Sequence, residues 1–106
     1  MTRRPLPKRR IAETFQLTVA RLRYTCTVGR FPDGSIAELL LNHKSSSAAD
    51  TAARDSAITF SIAVQHGADA EAIRRGLTRD GQGRALGPLG AALDCMHHIA
   101  EQEPTS

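Results

Sequence analysis

The stretch from Arg23 to Gly67 constrains this chain most, because it reads as strand, tight turn, strand, polar loop and long helix in one pass. Arg23 to Arg30 (RYTCTVGR) is rich in Thr, Val and Tyr, residue types that suit a pleated, half-buried surface. Phe31-Pro32-Asp33-Gly34 supplies turn chemistry: Pro32 presets φ, and Gly34 takes the positive φ that closes the turn. Ser35 to Asn42 (SIAELLLN) is the return strand, so the pair reads as a β-hairpin. A loop with Lys44, Ser45, Ser46 and Ser47 follows, then an apolar-periodic segment from Ala48 to His66 that Gly67 ends.

Upstream, Glu13 to Val19 alternates Phe15, Leu17 and Val19 with Thr14, Gln16 and Thr18, the period of a half-buried strand. Ala20-Arg21 is then a tight connection. Tyr24, Cys26 and Val28 share one face of the second strand, with Thr25 and Thr27 on the other. In the third strand Ala37, Leu39 and Leu41 share a face, opposite Ile36, Glu38 and Leu40. Short connections make the three strands an antiparallel meander.

The helical half begins at Ser47, the expected N-cap, with Asp50 in the first turn where the helix dipole favours a carboxylate. Its apolar stripe is expected to comprise Ala49, Ala53, Ala57, Phe60 and Val64, widened by Ile58 and Ile62. Asp69 caps a second helix from Ala70 to about Arg79, anchored by Ile73 and Leu77. Asp80-Gly81-Gln82-Gly83 is a turn. A third helix starts at Gly87-Pro88 and carries Leu89, Leu93, Met96 and Ile99. The expected fold class is α+β: a three-stranded antiparallel meander packed against one long and two shorter helices.

With 106 residues, 41% of them hydrophobic, the sequence suits one domain of residues 11–100, flanked by a disordered basic arm (1–10) and a frayed tail (101–106). Five positive charges (Arg3, Arg4, Lys8, Arg9, Arg10) fall in the first ten residues and leave nine Lys/Arg against eleven Asp/Glu elsewhere. The basic character therefore belongs to the arm, which could tether the chain to a partner or hold nucleic acid by counterion release. No apolar run approaches the roughly 20 residues of a membrane span. The basic start leads into no hydrophobic segment, so no secretory signal is expected. Cys26 and Cys95 lack a CxxC partner, which argues against a zinc ribbon and suits a reduced cytoplasm.

Several patterns could carry chemistry. On the third helix Asp94, Cys95 and His98 have spacings that share a face, as a metal site needs, but His97 points about 100° away and a fourth ligand is lacking. Histidines near a helix C-terminus explain the same residues without a metal. Cys26 reads as a small buried hydrophobe, since neither a base nor a helix N-terminus adjoins it. Gly81 to Gly90, with Arg79 and Arg84, could cradle a phosphate but carries no nucleotide fingerprint, and turns need glycine too. Lys44, Ser45, Ser46 and Ser47 form the other candidate anion site, since capping needs only one serine. No cofactor and no catalytic residue are expected.

The order of elements from Arg23 to Leu77 resembles the TSCPD domain. That domain stands at the C-terminal end of adenosylcobalamin-dependent ribonucleotide reductases and also occurs alone. Glu38-Leu39-Leu40-Leu41-Asn42 matches its glutamate–hydrophobic–asparagine strand, Lys44 to Ser47 its loop, Ala57 to Gly67 its helix, and Asp69 to Leu77 the next one. The Pro88 to Asp94 helix extends the match. The chain departs where the namesake Thr-Ser-Cys-Pro-Asp stretch belongs, for GPLGAALDC stands there. The resemblance implies an accessory or regulatory module linked to a ribonucleotide reductase subunit, without catalysis of its own, while the Lys44–Ser47 loop at a helix N-terminus points to a nucleotide or phosphate as ligand. The alternative is an interaction protein whose basic arm holds nucleic acid.

Overall fold

A computed structural model describes residues 3–6, 12–44 and 47–102, with side chains in the last helix described as far as His98. Three strands come first: β1 (Ala12–Val19), β2 (Leu22–Arg30) and β3 (Ile36–His43). They form one antiparallel sheet in the order β1-β2-β3, with Phe15 opposite Cys26 and Cys26 opposite Leu41. Helices α1 (Ala48–Gln65), α2 (Ala70–Gly76) and α3 (Pro88–Gln102) follow. The α+β meander read from the sequence is the fold observed. No helix among the described residues is long and apolar enough to cross a membrane.

The two hairpin turns differ in chemistry. Ala20 and Arg21 both have positive φ (50° and 67°), the conformation a two-residue hairpin turn demands and that Asn-Gly normally supplies. Between β2 and β3 the Gly34 amide donates to the Phe31 carbonyl at 2.9 Å, with Gly34 at φ 89°. The Asp33 carboxylate accepts the Ser35 amide at 2.9 Å and fixes the loop.

One face of the sheet holds the core. Tyr24, Cys26, Val28, Leu39 and Leu41 are buried there against Ala53, Ala57 and Phe60 of α1 and Leu89, Ala92, Leu93 and Met96 of α3. The opposite face carries Thr14, Thr25 and Thr27, with Leu40 exposed among them. Ile36 departs from its expected face. A register irregularity at Gly29/Arg30 turns the start of β3, and Ile36 packs against the core.

Helix α1 starts and stops as its sequence directs. Ser47 caps it by accepting the Asp50 amide, and Gly67 leaves it at φ 97°. The Gly67 amide donates to Val64 O and the Ala68 amide to Ala63 O, the paired bonds of a Schellman end. Ala53, Ala57 and Phe60 of the expected stripe are buried and Val64 packs against the core, but the stripe widens to the other side from the one expected. Ile58 and Ile62 are 49% and 47% exposed, whereas Ser61 and Gln65 are buried. The buried row Ala53–Ala57–Ser61–Gln65 climbs the helix in steps of four and lies along the free edge of β3. Small side chains let the helix approach, and polar ones bond the strand's unpaired backbone.

Helix α2 is shorter than expected and ends at Gly76, because Arg79 pairs with Ala85 in an isolated bridge. Asp80 closes the intervening turn by accepting the Gln82 and Arg84 amides at 2.8 and 2.9 Å. Helix α3 continues to Gln102, two residues into the expected frayed tail, while 103–106 and the Ile99 side chain lie outside the described residues.

The arm differs from expectation where it is described. Residues 3–6 lie against the body: the Arg4 amide donates to Gln65 O at 2.6 Å, and the Arg3 guanidinium donates to the Gln65 side chain. Arg4 also stacks 3.7 Å from the Phe31 ring centroid and reaches Asp33 at 3.3 Å. Lys8, Arg9 and Arg10 lie outside the described residues.

Candidate functional site

The charged side chains named from the sequence are held chiefly by one another. Arg79 grips the Asp94 carboxylate with two nitrogens, at 2.7 and 2.8 Å, and Arg74 adds a third bond at 3.1 Å. Arg79 also donates to the Arg74 and Gly83 carbonyls, and Arg74 forks onto Glu71. This cluster ties α2 and the following turn to α3. The Arg79 hydrogen bonds, with those of Arg74, hold the Asp94 carboxyl down at about 2. Asp94 is thus an ion-pair anchor rather than a metal ligand. No group of three or more metal-binding side chains occurs among the described residues. His97 meets Glu71 at 3.3 Å, and the His97 and His98 rings sit edge to face.

Cys26 is fully buried, and burial pushes its thiol up to about 12. A thiol so hard to ionise is a poor nucleophile. It packs where the sequence places it, on the core face of β2.

The Lys44–Ser47 loop has half of its expected geometry. Ser47 is the α1 cap, Lys44 is exposed, and Ser45 and Ser46 lie outside the described residues. Asp50 occupies the helix N-terminus itself: its carboxylate accepts the His43 amide at 2.7 Å and Arg54 at 2.9 Å. Those bonds hold its carboxyl below the usual range. An anion docking there meets a carboxylate already placed against the dipole.

Around Gly81 to Gly90 the arginines are committed too, Arg79 to Asp94 and Arg84 to Asp80 at 3.2 Å. The same segment contributes to a feature that the sequence did not announce. Gly87, Pro88, Leu89 and Gly90 form one wall of a cavity of about 330 Å³ whose other wall is the first half of α1, with Tyr24 between them. A second cavity of about 430 Å³ continues it along α1 toward α2, sharing Ser56, Leu77 and Leu89. The trace available in the sequence was the run of alanines on α1, which leaves room beside the helix.

The second unannounced feature is the α1–β3 seam. Ser61 accepts the Leu39 amide at 2.8 Å, and Gln65 donates to the Ala37 carbonyl at 2.9 Å. Both are structural polar groups, satisfied in place.

Comparison with known protein families, with curated proteins and with solved structures returns no match for this chain.

Proposed function

We propose that this chain is an accessory module of a ribonucleotide reductase, acting in the cytosol without a reaction of its own. One observation supports the reading above others. The strand that carries the resemblance, Glu38 to Asn42, alternates so that Ala37, Leu39 and Leu41 enter the core. Glu38, Leu40 and Asn42 are thereby turned to the open face of the sheet, and Leu40 is 45% exposed there beside Thr25 and Thr27. An exposed Leu framed by polar neighbours on a regular sheet is a surface suited to a protein partner. The charged clusters support a non-catalytic role, because Asp94 and Asp50 are held in ion pairs and Cys26 is a core residue.

The test is co-purification. The tagged chain is recovered from its native cytosol and probed for a reductase subunit, beside a Leu40→Glu variant. Leu40 is outside the core, so the variant keeps its fold by circular dichroism. Recovery of the subunit with the wild type and its loss with the variant is the expected result. Absence of any reductase subunit from both overturns the reading.

A further inference from the structure

We propose that the outer edge of β1 is a self-association surface, where a second copy of the chain adds its own β1 antiparallel and the two sheets become one of six strands. This edge lies on the far side of the sheet from β3, and the proposal goes beyond the reductase reading without resting on it.

The two edges of the sheet are finished differently. On β3 the outward backbone groups of Ala37, Leu39 and His43 are taken by Gln65, Ser61 and Asp50 of α1. Which groups of β1 point outward follows from its turn. The two-residue turn at Ala20-Arg21 makes Val19 and Leu22 a hydrogen-bonded pair, so Leu17, Phe15 and Glu13 also bond to β2. The alternate residues Ala12, Thr14, Gln16 and Thr18 turn their amides and carbonyls to the outer side. Among the described residues nothing bonds to those groups.

The strand also lacks the features that keep an edge from pairing. It has no proline, no lysine and no bulge along its eight residues. The core is thinnest here as well. Tyr24, Cys26, Val28, Leu39 and Leu41 are buried on β2 and β3, whereas Phe15, Leu17 and Val19 on the same face of β1 are only half-buried.

Pairing and charge select a second copy over an arbitrary extended peptide. Centred on Gln16, the antiparallel register sets Thr14 opposite the second copy's Thr18, Phe15 opposite its Leu17, and Gln16 opposite its own counterpart. Polar residues meet on the open face and apolar ones on the core face, where each row covers the other. Glu13 is the one charged residue of β1, and its side chain stays 53% exposed beside Arg30. The register brings it to the end where the second copy carries the exposed Arg21 of its turn. A parallel arrangement would bring the two Glu13 carboxylates together instead. One two-fold axis relates all these pairs, as an isologous interface requires. The area suffices too. Eight residues make an edge about 27 Å long, and a sheet with α3 beneath it is about 20 Å thick, so two copies bury roughly 1,000 Å² in all, the lower bound for a specific interface.

The experiment is analytical ultracentrifugation of the full chain across the micromolar range, with amide exchange by NMR as the second readout. The wild type is expected to reach twice its 11.4 kDa mass with a micromolar dissociation constant, as suits an interface of this size. Its Thr14, Gln16 and Thr18 amides should be protected from exchange. Gln16→Lys sets like charges opposite each other across the axis, and Gln16→Pro deletes an amide that β2 does not use. Both should keep the fold by circular dichroism and weaken the dimer about tenfold or more. Three results each overturn the proposal. The first is a monomer throughout, with the three amides exchanging freely. The second is a monomer with those amides protected, which would make residues 7–11 of the same chain the occupant of the edge. The third is a dimer that neither variant weakens, which would move the interface to another face, such as the one around Leu40. None of these outcomes decides whether a reductase subunit co-purifies, so the two readings fail separately.

Discussion

Ser61 and Leu39 share a pair of hydrogen bonds across the seam between α1 and the edge of the sheet. The Ser61 hydroxyl accepts the Leu39 amide at 2.8 Å and lies 3.0 Å from the Leu39 carbonyl, with the Ala57 carbonyl at 2.8 Å as its other acceptor. An edge strand ordinarily exposes a row of unpaired backbone groups that invite pairing with another chain. Here a helix covers that edge, and its side chains stand in for the missing neighbour strand. Gln65 serves Ala37 in the same way, and Asp50 serves His43.

Ser61→Ala should therefore cost more than a surface hydroxyl deletion. It leaves the buried Leu39 amide unpaired, a penalty of about 1–3 kcal/mol. Urea denaturation at neutral pH measures it. A loss within about 0.5 kcal/mol, the range of ordinary surface changes, would show that water repairs the seam.

The N-terminal strap predicts a smaller effect. Arg4 covers Phe31, which is only 5% exposed, and pairs with Asp33 at the surface. A cation over a ring contributes about 0.5–1 kcal/mol and an exposed ion pair less. Arg4→Ala should lower the melting temperature by about 4–8 °C, the scale of 1 kcal/mol in a domain of this size. No change on thermal unfolding would mean that the strap is held by its main-chain bond to Gln65 alone.

The Ala20-Arg21 turn places two L-residues with side chains at positive φ, a conformation that disfavours them. Ala20→Asn together with Arg21→Gly supplies the residues that the turn prefers. The double variant should gain about 1–2 kcal/mol. Unchanged stability would indicate that the unfolded chain gains as much freedom from the new glycine as the turn gains in relief.

The strands were legible because burial on one face imposes a period of two, which Phe15-Leu17-Val19 and Tyr24-Cys26-Val28 state plainly. Caps were legible for a similar local reason: the Ser47 and Asp69 side chains accept amides within three residues of themselves. On α1 the Ala53, Ala57, Phe60 and Val64 stripe was legible, but the side to which it widens was not. Hydrophobicity alone turns Ile58 and Ile62 inward, but the helix lies against a strand edge whose need is for hydrogen bonds. Ser61 and Gln65 answer that need, and only the four-residue spacing from Ala53 and Ala57 hinted at it. The cavity beside α1 was illegible because it arises between segments far apart in sequence, Ala49–Ser56 and Gly87–Gly90. The ion pairing of Asp94 was illegible for the same reason, since its arginine partners at 74 and 79 come from another helix and the turn after it.

That arginine cluster makes stability depend on pH in a set direction. In the unfolded chain Asp94 takes up its proton near its ordinary value of 3.8, whereas in the folded protein the Arg79 and Arg74 hydrogen bonds hold it ionised to about 2. Between those values the unfolded state binds more protons, so acidification favours unfolding. The contribution of Asp94 is fully present above about pH 5 and is lost as pH falls toward 2. With its side chain 19% exposed, Asp94 contributes roughly 2 kcal/mol. Asp50 and Asp80 are lowered by their backbone hydrogen bonds and add to the same slope. Asp94→Asn should be clearly less stable than wild type at pH 7, since two arginines then face each other without their carboxylate. The gap should narrow steadily as pH falls from 5 to 2. Urea midpoints for both proteins at pH 7, 4 and 2.5 would test this, and a gap that stays constant across the series would remove Asp94 as the source of the acid sensitivity.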